Sequence, residues 1–148
     1  MQSLTGRRQA RQQAFQFLFG HLPLPQNASN PQEKDLYSAD QILAFCKSFD
    51  FPQNEFTTEL IVGTFTHVLE LDEKIKSISQ HWRLERMPQV DLTILRLAAY
   101  EILHCPDVPK SVSINEAIEL AKRFGAEESA SFVNGLLDKL EKITTITK

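Results

Sequence analysis

Apolar positions recur at intervals of three and four along almost the whole chain, and no stretch of useful length alternates strictly between apolar and polar residues. That period stacks side chains on one helical face, whereas a half-buried strand would repeat every second residue. The pattern predicts an all-α protein. A first helix spans about Gly6 to Gly20 and is stopped by Gly20 and the prolines of "HLPLPQNASNP", which read as a loop. Ser38 and Gln41 have capping-box spacing and open a short helix through "ILAFCKSF", closed by the turn-forming "DFPQN". Asn54 caps a long segment, "EFTTELIVGTFTHVLELDEKIKSISQHW", which is weakened at Gly63 and its β-branched run, where it can divide into two pieces.

The connector "RLERMPQ", with Pro88 as an interruption, leads into "VDLTILRLAAYEIL". Apolar residues occupy nearly every face there, with Asp91, Arg96 and Glu101 as charged exceptions, so this helix is expected to run through the centre of the C-terminal half. Pro106 and Pro109 end it. Ser113 and Glu116 repeat the capping-box spacing, and Ile114, Ala117, Ile118, Ala121 and Phe124 form a stripe that Gly125 stops. In the last helix, "ASFVNGLLDKL" puts Val133, Leu136, Leu137 and Leu140 on one face. Gly135 interrupts that helix, which implies a close approach by another backbone or a ligand. Phe132 lies off the stripe, as a flank residue completing the core or as an exposed aromatic available for stacking.

Length and composition narrow the class. At 148 residues the chain is one domain, near the size at which two small subdomains occur. Hydrophobic residues at 42% and charged residues at 24% are globular values, and no apolar run approaches the roughly 20 residues that cross a bilayer. No signal-peptide pattern is seen, so a cytoplasmic protein is expected. Cys46 and Cys105 sit far apart in apolar contexts and read as buried thiols.

Charge changes the picture. The formal net charge of −3 hides a basic end: residues 1–20 carry Arg7, Arg8 and Arg11 and no acid, whereas residues 31–80 hold nine acids against four bases. Such asymmetry points to an acidic partner, nucleic acid above all. On a helix of about 100° per residue, Ala10, Ala14, Phe17 and Leu18 face the core, and Gln9, Gln12, Gln13 and Gln16 face water. Between them lie Arg8, Arg11, Phe15 and Phe19. Two guanidinium groups for phosphates and two π-faces for unstacked bases suit single-stranded RNA, although a core edge with surface arginines has the same spacing. The four histidines, His21, His67, His81 and His104, are scattered without ligand spacing, and no phosphate-cradling loop, metal-binding cysteine cluster or nucleophile elbow is present. Neither an enzyme nor a cofactor is expected.

Beyond these local patterns, "RRQARQQAFQFLF", "QVDLTILRLAAYEIL", "DVPKSVSINEAIELAKRFGAEES" and "FVNGLLDKL" together resemble the NusB family of transcription antitermination factors over most of the chain. The resemblance implies about seven helices in two small packed bundles, divided here near residues 82 and 83. It implies an adaptor that binds boxA-type RNA of nascent ribosomal RNA together with NusE, a small-subunit ribosomal protein, and promotes antitermination by RNA polymerase. RNA-facing positions would be Arg7, Arg8, Arg11 and Phe19, joined by Phe15 from the same arc, and Glu128 with Phe132 near the C-terminus. Glu85 and Asp91 match positions at the RNA and NusE interface. Phe19 stands where a tyrosine is common, which keeps the ring and loses a hydroxyl. The loop after Gly20 matches no family motif. The alternative is a helical interaction module without RNA affinity, a homodimer that buries the Arg/Phe arc.

Overall fold

The computed structural model describes residues 4–22, 39–48, 55–79 and 83–146. These form α1 (Leu4–His21), α2 (Ala39–Ser48), α3 (Glu55–Thr66), α4 (Val68–Ile78), α5 (Gln89–His104), α6 (Lys110–Phe124) and α7 (Ser129–Ile146), with a short 3-10 turn at Leu84–Arg86 between α4 and α5. Among the described residues there is no strand, as the periodicity predicts. The expected caps Ser38 and Asn54, His81, most of the loop after Gly20 and the side chain of Cys46 lie outside the described residues.

The core is organised by α5, which packs against α1, α3, α4, α6 and α7. Its apolar residues on every side have a neighbour to meet: Ile94, Leu95, Leu97, Ala98 and Ala99 are all buried. Gly63 on α3 explains how closely α3 approaches it, because a Cβ there would overlap the hydroxyl-bearing edge of the Tyr100 ring. The charged exceptions on α5 are buried too, against the expectation for charged side chains on a helix. Arg96 donates from Nε to Asp72 Oδ1 at 2.7 Å and from Nη2 to Asp72 Oδ2 at 2.8 Å, tying α5 to α4. Glu101 accepts from Arg11 of α1 and from Ser113 Oγ of α6. Burying Arg96 and Glu101 is tolerable because each meets an opposite charge with bidentate geometry.

Local chemistry sets the helix ends differently from the sequence expectation in two places. The long third segment breaks at His67, four residues after Gly63: Thr66 Oγ1 donates to the Gly63 carbonyl at 3.2 Å and the His67 ring lies 2.8 Å from the same oxygen. Side chains that bond back to a carbonyl three or four residues earlier bend a helix, whereas a glycine packed beneath a tyrosine ring does not have to. The capping box at Ser113 is not formed, because α6 already begins after Pro109. Proline before the first helical residue supplies the start, and Ser113 and Glu116 are released to bond Glu101 and Arg8. Gly125 does stop α6, and the following turn is closed by the Ala126 amide donating to Ser129 Oγ at 2.9 Å. The stripe of α7 is as predicted, with Val133, Leu136, Leu137 and Leu140 buried. Gly135, by contrast, is exposed, and a Cβ there would meet nothing within 4 Å.

Candidate nucleic-acid interface

Helices α1 and α6 lie side by side, and their contacts form a graded edge. Arg8 of α1 forks onto Glu116 of α6, with Nε donating to Oε2 at 3.1 Å and Nη2 to Oε1 at 3.1 Å. One turn on, Arg123 Nη1 donates to Gln12 Oε1 at 3.0 Å. A turn further, Phe15 packs on Phe124 with ring centroids 5.0 Å apart, and Phe19 stacks beside Phe15 at 6.0 Å and 28°. The spacing of Arg8, Gln12, Phe15 and Phe19, at intervals of four, three and four, produces this order, since residues three and four apart share a helix face. The Arg123 guanidinium also lies 5.5 Å from the centre of the Phe124 ring.

The arc read from the sequence therefore splits. Phe19 is 43% exposed and Arg8 is exposed, but Arg11 is only 2% exposed and Phe15 is buried. Arg11 does not point at solvent because Glu101, buried beneath it on α5, holds its guanidinium at 2.8 Å, and Phe56 covers it from the α3 side. A helical wheel records direction and not the neighbour that caps it. Arg7 is partly buried, with its guanidinium over the Phe56 ring at 4.7 Å and 3.9 Å from Asp107. Glu116 acts on Arg8 first through its hydrogen bonds and then through its charge, raising the guanidinium pKa above its ordinary value. Any phosphate at Arg8 competes with that carboxylate.

Near the C-terminal end of the chain, Glu128 is exposed just before α7, and Phe132 lies one turn later, partly buried against the core. Phe132 thus packs on the core while retaining an exposed part. Glu85 is exposed on the 3-10 turn, whereas Asp91 in the first turn of α5 is buried, and its Oδ1 has no hydrogen-bond partner. The two residues do not share a surface. Arg123 and Gln12 were not distinguishable in sequence as site residues. Their signal is that Arg123 flanks the α6 stripe beside Phe124 as Gln12 flanks the α1 stripe, which becomes meaningful once α1 and α6 are neighbours.

One buried central helix surrounded by the others, with an exposed arginine and aromatic edge, defines a small all-α domain. No described helix is long and apolar enough to cross a membrane. The sequence model of the NusB family matches residues 8–142. Over 142 residues the chain is 40% identical to the transcription antitermination protein NusB of Geobacter sp. (strain M21), covering 96% of this chain and 98% of that one. The protein of the same name from Desulfitobacterium hafniense (strain DSM 10664 / DCB-2) is 46% identical over 136 residues, covering 90% and 86%. A structure of T. maritima NusB superposes with a TM-score of 0.69 at 32% identity, over 96% of this chain and 93% of that one. The chain belongs to the NusB family.

Proposed function

We propose that this protein is a transcription antitermination adaptor of the RNA polymerase antitermination complex, which binds boxA-type single-stranded RNA of nascent ribosomal RNA together with NusE. It acts in the cytoplasm by binding and carries no catalytic step. The observation that carries the RNA reading is the α1–α6 edge, where exposed Phe19 continues a row of rings that begins beside Arg8 and Arg123. Guanidinium groups answer the phosphates, and an exposed ring offers a stacking platform that tolerates any base. Arg7, Arg8, Phe19 and Arg123 form the contact surface, with Arg11 and Phe15 supporting it from beneath. Glu128 and Phe132 extend it at α7, and Glu85 belongs to the NusE side.

The test is the salt dependence of binding to a short boxA-like RNA. Each phosphate contact releases counterions, so removing two of them in Arg8→Ala with Arg123→Ala should make the slope of log affinity against log salt shallower by roughly 1.4. An unchanged slope in a folded double variant removes the α1–α6 edge from the RNA site.

A further inference from the structure

Away from that edge, His67, Glu70 and His104 converge, and one potential ligand atom from each lies within 4.8 Å of the other two. His67 occupies the break between α3 and α4, Glu70 follows it in the first turn of α4, and His104 ends α5. The imidazoles are 4.2 Å apart at 38°, and His104 Nε2 is 3.1 Å from Glu70 Oε1. All three side chains are at least partly solvent-accessible. None of these residues takes part in the arginine and aromatic edge.

We propose that this cluster is a binding site for a divalent transition-metal ion, Zn²⁺ first, held by His67, Glu70 and His104 with water completing the coordination. Two imidazoles and one carboxylate are a donor set that Zn²⁺ accepts with one open position. Zn²⁺ bonds of about 2.0–2.2 Å set tetrahedral ligand atoms roughly 3.3–3.5 Å apart, so the cluster closes by at most about 1.5 Å, within reach of side-chain torsions at accessible positions.

Three further features of the fold favour a cation here. A carbonyl can only accept, so the 2.8 Å contact to Gly63 makes His67 Nδ1 the protonated nitrogen of the neutral ring and leaves the lone pair on Nε2. A backbone carbonyl behind the distal N–H is the support that metal-bound histidines ordinarily have. Secondly, His104 lies in the last turn of α5, whose C-terminal end carries partial negative charge. Thirdly, the Tyr100 ring stacks on His104 at 5.3 Å and limits its rotation.

The ion replaces the proton between His104 Nε2 and Glu70, and the neutral His104 ring carries its proton on Nδ1 instead. Bound there, it clamps the α3–α4 break to the end of α5, so it acts on stability and not on chemistry.

Calorimetry of the full chain with ZnCl₂ near neutral pH, in a buffer without metal affinity, tests the site. One equivalent should bind, and Tm should climb with Zn²⁺ concentration. His104→Ala and Glu70→Gln, both at accessible positions, should each weaken binding about tenfold or more and suppress the Tm response, while His21→Ala leaves both unchanged. In the wild-type protein Zn²⁺ should shift the His67 and His104 ring-proton resonances, a readout that does not depend on any variant folding. Failure of the wild type to take up an equivalent overturns the proposal. So do variants that bind as the wild type does, or shifts confined to other histidines.

Discussion

Arg11 and Arg8 are three positions apart on one helix and do opposite things. Arg8 lies over solvent and shares its charge with Glu116, while Arg11 is enclosed with Glu101, Phe56 and the body of α1. A buried carboxylate left without its cation is far more costly than a lost surface pair. Arg11→Ala should therefore destabilise the protein by about 3–5 kcal/mol, read as a lower urea midpoint at unchanged slope. Glu116→Gln should leave the midpoint within about 0.5 kcal/mol of wild type. It should also tighten RNA binding at low salt, since it frees the Arg8 fork for phosphate. RNA affinity that falls in Glu116→Gln would place Arg8 outside the contact surface. Asp91 is the residue whose burial the packing leaves least accounted for: one carboxylate oxygen is enclosed without a hydrogen bond. Its place in the first turn of α5 supplies part of the compensation, because a helix N-terminus favours negative charge.

At the scale of elements, two glycines inside helices have opposite meanings. Gly63 is where α3 meets the Tyr100 ring of α5, so Gly63→Ala should overpack the contact and cost about 1–3 kcal/mol despite alanine's better helix propensity. Gly135 on α7 faces open space, so Gly135→Ala should raise stability by roughly 0.5–1 kcal/mol, the usual penalty of a mid-helix glycine. Denaturation curves of the two variants should move in opposite directions. If Gly135→Ala stabilises the protein yet weakens binding of NusE or RNA, the approach that this glycine permits belongs to a partner. If binding is unaffected, the residue is a simple surface defect.

For the molecule as a whole, the modest number of exposed cations on the α1–α6 edge argues for assembly. The exposed guanidinium groups of the α1–α6 edge are already engaged, Arg8 by Glu116 and Arg123 by Gln12, which limits affinity for a short RNA taken alone. A second protein that adds its own contacts would raise it. Linkage is reciprocal: saturating NusE should tighten RNA binding by the same factor by which saturating RNA tightens NusE binding, typically about 5- to 150-fold. Calorimetry along both arms closes the cycle. Equal RNA affinity with and without NusE would rule out the coupled adaptor and favour a module that works through protein contacts alone.

Period and punctuation carried most of the architecture. The intervals of three and four, Gly125 after the α6 stripe, and the prolines after α5 are local signals, and they placed six helical segments, the third of which the structure divides at His67, because helix formation and termination are governed by neighbours within a turn. The arginine and phenylalanine edge was likewise visible in "RRQARQQAFQFLF". What the sequence alone could not determine was which members of that arc reach water. Arg11 and Phe15 are buried by Glu101 and Phe124, partners 90 or more positions away. For the same reason Ser113 reads as a cap until Glu101 is seen beside it, and Arg123 reads as an ordinary surface cation until α1 lies next to α6. His67 and His104 look scattered because 36 residues separate them in the chain. Spacing is blind to such pairs, since side chains meet across helices only when packing sets the distance between their axes. The sequence determined the elements and their apolar faces. Tertiary packing around α5 decided which charges are neutralised inside, which remain at the edge, and which histidines meet.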